Sequence, residues 1–128
     1  MKITEDYVSF EVAKLLKEKD FNESCYCVYF MDNLEHNDYS SSNFELVDNA
    51  FTAPTHQMAL KWLREVHNIL IVIIPMEIKI GVERLCYGIY KITEDLYQPL
   101  YNGNINNLVN SYEEAVEAAL KYTLENLI

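Results

Sequence analysis

The chain has 128 residues, half of them hydrophobic, and a formal net charge of −10 from 20 acidic and 10 basic residues. This length and composition predict a single globular domain, residues 1–128, whose core is large enough to fold without disulfides or metal ions. The acidic surplus argues against direct binding to nucleic acids or anionic membranes, because their charged groups are normally met by clustered Lys and Arg.

Nothing in the sequence suggests a membrane segment. The longest apolar run, residues 69–76, is far shorter than the roughly 20 residues that span a bilayer. Residues 1–6 lack the apolar region of a signal peptide. The number of cysteines is odd, and Cys25 and Cys27 are two apart on a predicted strand, too distant for a comfortable disulfide. We therefore expect a soluble cytoplasmic protein with free thiols.

The first predicted elements are a helix and an aromatic strand. Ser9 suits the N-cap of an amphipathic helix over residues 10–19. Residues 25–31 are rich in aromatic and other strand-favouring side chains and predict the first strand. The polar residues 32–43 lack periodicity and predict an exposed loop, after which residues 44–47 are a candidate short strand.

A helix followed directly by a strand forms the predicted centre of the fold. Pro54 has the fixed φ that suits a first helical turn, and Asn68 can adopt the left-handed conformation that ends a helix. The branched apolar residues 69–74 then predict a strand. The face of this helix that is expected to be buried contains Met58, Ala59, Trp62, Leu63 and Val66.

The C-terminal part is predicted to contain a hairpin, a loop and a helix. The strand continues through the alternating residues 76–82, turns at residues 81–84 and returns over residues 85–92. Residues 93–110, with an Asn102-Gly103 turn signal, predict a long loop that has room for a small hairpin.

Ser111 and Glu114 form a capping box that opens the last helix. Glu117 and Lys121 are spaced for an i,i+4 ion pair on its surface. The face expected to be buried contains Ala115, Val116, Ala119, Leu120, Thr123, Leu124 and Leu127.

The predicted order is α-β-(β)-α-β-β-α. Strands joined by hairpins pair antiparallel, and helices with one apolar face must cover a sheet or one another. The sequence therefore predicts an α+β fold, a two-layer sandwich in which three amphipathic helices cover a mainly antiparallel sheet of 3–4 strands.

Four short segments resemble a known group of proteins. They are Pro54-Thr55, residues 62–68, residues 112–115 and residues 124–127. Together they look like a group of small proteins from Bacteroides-type gut bacteria and their phages or mobile elements. The resemblance implies a biological setting but no activity, cofactor or catalytic residue.

The histidines and cysteines are candidates for chemistry. His56 and His67 are eleven residues apart on one helix, about 16 Å, so they cannot bind one metal ion together. We expect them at the two helix ends, with His67 helping to satisfy the C-terminal carbonyl groups. The residues considered for a zinc site are Cys25, Cys27, Cys86, His36 and His56.

Both metal binding and nucleophilic catalysis are disfavoured by the sequence. The spacing of the cysteines is not that of a zinc knuckle, and no cysteine is expected at a helix N-terminus or in a basic setting. With three glycines in the whole chain, no Gly-rich phosphate-binding loop is present. We therefore expect no catalytic residue, no metal site and no cofactor.

The ten tyrosines are the most unusual feature of the composition. Tyr26 and Tyr29 point to opposite faces of the first strand, and Tyr87 and Tyr90 to opposite faces of a later strand. These four residues form the predicted interaction surface, because tyrosine supplies a large contact area and a hydrogen bond. The alternative is compositional, since Tyr and Asn both become common when a gene is AT-rich.

The leading hypothesis is a non-enzymatic accessory protein that acts by protein–protein contact or by self-association, for example as a homodimer. The alternative is an acidic inhibitor that imitates nucleic-acid charge and occupies the basic groove of a DNA-handling or defence enzyme. A hydrolase or transferase that uses the cysteines and histidines is the weakest hypothesis.

Overall fold

The computed structural model describes residues 1–80, 82–103 and 107–128, without the side chains of residues 78, 79, 82 and 83. Its α-helices are α1 (Phe10–Glu18), α2 (His56–His67) and α3 (Tyr112–Asn126). Its strands are β1 (Cys25–Phe30), β2 (Asn33–Ser41), β3 (Ala50–Thr52), β4 (Ile69–Lys79), β5 (Val82–Ile92) and β6 (Tyr97–Tyr101). The α+β class is confirmed, and the order of elements follows the predicted one with additional strands.

The strands form two antiparallel sheets rather than the single sheet of the prediction. In the first sheet β1 lies between β2 and β3, and in the second sheet β5 lies between β4 and β6. Because β2 and β3 occupy both edges of β1, the long β4–β5 hairpin has no place beside it. The hairpin therefore begins a sheet of its own, and the helices contact both sheets.

Two stretches that were expected to be loops contain strands. Residues 32–43 are mostly β2, which turns back along β1 through Met31 and Asp32, at φ values of 49° and 64°. Most β2 side chains are exposed, so the strand lacks the apolar alternation by which strands are recognised. Residues 93–110 include β6, a terminal strand that accommodates Pro99.

Other local predictions are shifted or fall outside the described residues. The candidate strand over residues 44–47 is wrong, because a short 3-10 helix covers Asn43–Glu45. Gly81 is outside the described residues, and β5 has already begun at Val82, within the predicted turn. The predicted side-chain alternation over residues 76–82 lies partly outside the described residues. Residues 104–106, which follow the Asn102-Gly103 turn signal, lie wholly outside them.

The helix ends follow the predicted caps. Asn68 ends α2 in the left-handed conformation, with φ 56° and ψ 39°. The second helix begins at His56, two residues after Pro54, with Thr55 as its N-cap. Three hydroxyl groups accept hydrogen bonds from the first turns of their helices, those of Ser9, Thr55 and Ser111.

One core cluster contains residues of both sheets and all three helices. At its centre the rings of Phe21 and Trp62 meet edge to face, with centroids 5.3 Å apart. The predicted buried face of α2 is partly wrong, because Met58 and Val66 are exposed while Leu60 is buried. The buried face of α2 is therefore rotated toward Leu60 relative to the predicted one, and α2 contacts both α3 and β4. Among the described helices, none is both long and apolar enough to cross a bilayer.

Asn43 links the end of α1 to the first sheet. Its buried side chain donates from Nδ2 to the Phe21 carbonyl at 2.7 Å, and its Oδ1 accepts from the Thr52 N–H at 2.9 Å. Both partners are backbone groups inside the protein, and buried backbone groups need hydrogen bonds. The amide therefore completes the backbone hydrogen bonding where the chain leaves α1.

Replacing Asn43 by Ala should lower the free energy of unfolding by about 2–4 kcal/mol, because two buried backbone groups lose their partners. Urea denaturation followed by the fluorescence of Trp62, the single tryptophan, measures the change. The control is Asn49→Ala at an exposed asparagine, which should stay within about 0.5 kcal/mol of the wild type. Equal stability of the two variants would show that Asn43 is not a structural link.

Candidate functional site

The structure separates the four tyrosines of the predicted interaction surface. Tyr29 and Tyr87 are only 9% and 7% exposed and belong to the core. Tyr26 is 62% exposed on the first sheet, and Tyr90 is partly exposed on the second. The four side chains do not form one continuous surface, and only Tyr26 and Tyr90 remain available for contacts.

The buried tyrosines stabilise the interior. The Tyr29 hydroxyl donates to the Val8 carbonyl at 2.7 Å. Tyr87 stacks on Tyr101 with ring centroids 4.9 Å apart, and Tyr101 lies 4.6 Å from Tyr122 of α3. Burial raises the pKa of both Tyr29 and Tyr87, so both phenols stay neutral. Several of the ten tyrosines therefore serve as packing and hydrogen-bonding groups of the interior.

Glu117 of α3 connects the starts of the other two helices. Its Oε1 accepts from the Ser9 backbone N–H at 2.8 Å and from His56 Nε2 at 2.9 Å. A carboxylate can only accept, so Nε2 of His56 carries a proton. The predicted ion pair of Glu117 with Lys121 is therefore not formed. The Nζ of Lys121 instead lies 2.9 Å from the Oε1 of Glu11. His56 stands at a helix end, as expected, and this carboxylate is its partner.

The electrostatics of Glu117 follow from these contacts. Burial by itself would raise the pKa of this carboxyl group, but hydrogen bonds from His56 and Ser9 favour the charged form. The result is a pKa below the ordinary value. Glu117 is thus an ionised group held partly inside the protein by two donors.

His67 does not have its predicted role at the end of α2. Its ring packs edge to face against Trp62 at 4.7 Å, and burial together with nearby Lys91 and Lys19 lowers its pKa. The Nζ of Lys91 donates to the His67 carbonyl at 2.9 Å instead. A lysine from β5 therefore satisfies the helix terminus, as favoured by the helix dipole.

An open acidic depression of about 420 Å³ lies beside Glu117. Glu114 lines this depression, and its side chain accepts from the Asn110 N–H at 3.2 Å. A capping box requires the N–H of the N-cap residue Ser111 instead, so the acceptor side of the predicted box is shifted by one residue. No group of three or more His, Cys, Asp or Glu residues in the described part of the chain could hold a metal ion. The residues that line the depression are Asp6, Tyr7, Ser9, His56, Glu113, Glu114 and Glu117.

Cys27 of β1 and His36 of β2 are paired across the first sheet. The Cys27 Sγ lies 3.0 Å from His36 Nδ1, and the Tyr7 ring packs edge to face against the imidazole at 5.4 Å. The imidazole beside Cys27 was not anticipated from the sequence. The sequence pattern places His36 in a loop, so only the strand register could have revealed the pair.

The second sheet has an apolar outer face and an open edge. Four residues line a depression of about 240 Å³ on this sheet, namely Leu70, Val72, Tyr90 and Tyr97. β4 is the terminal strand, and no strand of the described residues pairs with its other side. Residues 69–76 contain no charged side chain. An uncharged strand edge of this kind is a template for pairing with another strand.

The register shows which backbone groups of β4 face the open edge. The Ile92 N–H donates to the Asn68 carbonyl at 2.7 Å, where the β4–β5 ladder begins. Hydrogen-bonded pairs alternate in an antiparallel ladder, so every second residue after Asn68 bonds to β5. The free backbone N–H and C=O groups of the residues between them point toward the open edge, and these residues are Ile69, Ile71, Ile73, Pro75 and Glu77. Pro75, which has no N–H, occupies one of these outward positions, so the β4–β5 ladder loses no hydrogen bond to it.

Comparison with known proteins finds no matching family model, no significantly similar curated protein and no significantly similar solved structure. The resemblance to small proteins of Bacteroides-type bacteria and their mobile elements stays a prediction.

The lowered pKa of Glu117 predicts how stability depends on pH. Its contribution to stability is complete above the ordinary pKa of 4.5 and is lost as the pH falls through the lower folded-state pKa. The free energy of unfolding of Glu117→Gln should therefore fall below that of the wild type near neutral pH, and the difference should shrink in acid. Urea denaturation between about pH 7 and about pH 3 measures this.

The control for this experiment is Glu113→Gln, an exposed carboxylate on the same helix. Its difference from the wild type should be small at every pH, because exposed charges contribute little. A Glu117→Gln difference that stays constant down to the lowest pH would contradict the proposed hydrogen bonding of the carboxylate.

Proposed function

We propose that this protein is a non-enzymatic accessory protein that self-associates, and that two copies pair along the open edge of β4. The observation that supports this is the uncharged apolar segment of residues 69–76 at an unpaired strand edge. With a net charge of −10, most of the surface repels another copy. A segment without charge is the place where two copies approach at the lowest electrostatic cost.

The same segment is suited to two-fold symmetry. If two β4 strands pair antiparallel around Ile71, Ile69 of one copy lies opposite Ile73 of the other. These are residues whose N–H and C=O groups point outward, so the ladder bonds can form without moving β4. Pro75 has no N–H and ends the ladder.

Side chains of the outer face would add apolar contact to this ladder. Leu70 and Val72 project from the face opposite to Ile71 and Ile73, which pack against the core. Two-fold pairing brings Leu70 of one copy opposite Val72 of the other on the same side of the joined sheet. Tyr90 borders this region, so one of the predicted contact tyrosines would lie near the interface.

The acidic inhibitor is a second candidate, supported by the depression lined by Asp6, Glu113 and Glu114. Glu117 belongs to the same depression, but its Oε1 is already bonded to His56 and Ser9. A basic partner held by the remaining carboxylates would be released between low and moderate salt. Pairing through β4 should persist, because it uses backbone hydrogen bonds and apolar contact.

We also propose a cytoplasmic location, in a bacterium of the Bacteroides type or in a cell that carries one of its phages or mobile elements. The three cysteines are free and buried, which fits a reducing compartment. The setting rests on the sequence resemblance alone.

Light scattering behind size exclusion tests self-association. The wild type should elute as a dimer at about 0.1 M and at about 1 M salt, because the contact is not an ion pair. Val72→Lys places a charge on the exposed face beside the open edge and should give a monomer. Val66→Lys, at an exposed position of α2, is the matched control and should remain a dimer.

A wild-type monomer at both salt concentrations would contradict the proposal. A dimer that is lost at high salt, or that survives Val72→Lys, would place the contact elsewhere on the surface.

A further inference from the structure

Cys27, His36 and Tyr7 form a cluster that the proposed function does not use. Cys27 is 2% exposed, whereas His36 is exposed and Tyr7 is partly exposed beside it. The three residues come from β1, from β2 and from the segment before α1, which makes a single-residue β-bridge between Tyr7 and Thr55. A thiol, an imidazole and a phenol therefore meet at one point of the first sheet.

His36 is positioned to exchange a proton with Cys27. At 3.0 Å the contact between Sγ and Nδ1 is a hydrogen bond in either state. The thiol can donate to a neutral imidazole, or Nδ1–H can donate to the thiolate. The thiolate is the nucleophilic form of cysteine, and a neighbouring imidazole can generate it.

Tyr7 supplies a second interaction with the sulfur. Its hydrogen bond with Cys27, followed by burial, raises the pKa of Tyr7. The phenol therefore stays protonated and can donate to a sulfur that carries negative charge.

The other two cysteines have different surroundings. Burial raises the pKa of Cys25 to about 11, and burial also raises the pKa of Cys86, whose Sγ lies 3.4 Å from the sulfur of Met76. Both stay protonated near neutral pH. Cys25 nevertheless lines an open depression of about 200 Å³ and Cys27 is not among its lining residues. Access of a small reagent from solvent therefore favours reaction at Cys25, whereas proton transfer to a neighbouring imidazole favours reaction at Cys27.

We propose that Cys27 is a peroxide-reactive thiol, with His36 as its proton acceptor and Tyr7 as a hydrogen-bond donor to its sulfur. The thiol proton moves to His36 Nδ1, and the thiolate attacks one oxygen of hydrogen peroxide. The O–O bond breaks, and the sulfur loses two electrons to become a sulfenic acid, Cys–SOH. The departing hydroxide takes the proton from His36 and forms water, so one thiol and one peroxide give one sulfenic acid and one water.

Site-resolved trapping of sulfenic acid tests the proposal. Hydrogen peroxide is added to the wild-type protein with dimedone, and fragmentation mass spectrometry follows the label on each cysteine over time. Cys27 should be labelled at least about tenfold faster than Cys25 or Cys86, since only its sulfur has an adjacent imidazole among the described residues. Faster labelling of Cys25 would show that access decides, and would overturn the proposal.

Two variants separate the roles of the neighbours. His36→Asn should slow labelling of Cys27 by about tenfold or more, because an amide cannot accept the proton. Tyr7→Phe keeps the ring, removes the hydroxyl and should slow labelling by a smaller factor. Glu35→Gln, on the exposed surface of the same strand, is the control and should leave the rate unchanged.

Folding of each variant is verified by Trp62 fluorescence before the rates are compared. An unchanged rate in folded His36→Asn would overturn the role of the imidazole. If His36→Asn does not fold, the dependence of wild-type labelling on carbethoxylation of His36 by diethyl pyrocarbonate gives the same comparison, and an unaffected rate again contradicts the proposal.

Discussion

The carboxylate of Glu117 is the contact on which the arrangement of the helices depends. One oxygen of this side chain accepts from the N-cap residue of α1 and from the first residue of α2. α1 contacts the first sheet, and α2 continues directly into the second. α3 therefore joins α1 and α2 at one carboxylate, beside the second α1–α3 contact that Lys121 makes with Glu11. Charge-assisted hydrogen bonds are short and directional, so they select one helix arrangement among several that apolar faces alone would allow.

The elements that depend on neighbouring residues were predictable from the sequence. Ser9 and Asn68 act at helix ends through bonds or backbone conformations within one turn, so their residue types are sufficient. β2 was not predictable in this way, because its exposed side chains give no alternation. Its pairing with β1 depends on a two-residue turn of Met31 and Asp32 that is not a common turn sequence. The division into two sheets depends on which strand edges are occupied, and this is a long-range property.

The polar contacts also depend on long-range proximity that the sequence pattern does not reveal. Glu117 has a lysine at the i+4 position, but its partners are 108 and 61 residues away in the chain. Cys27 and His36 are only nine residues apart, yet they meet only through the register of two strands. For the tyrosines, alternation correctly places one member of each pair on each face. Which face the core covers follows from tertiary packing, and it removes Tyr29 and Tyr87 from the surface.

Both terminal strands of the second sheet contain a proline, Pro75 in β4 and Pro99 in β6. A run of six branched or aliphatic residues such as 69–74 is the type of segment that stacks into amyloid fibres when its edge is open. Fibre growth requires an unbroken row of N–H donors from each added strand, and an imino acid within the strand interrupts that row. The two prolines therefore limit the addition of further strands at either edge of the second sheet, and each removes one backbone donor from its terminal strand.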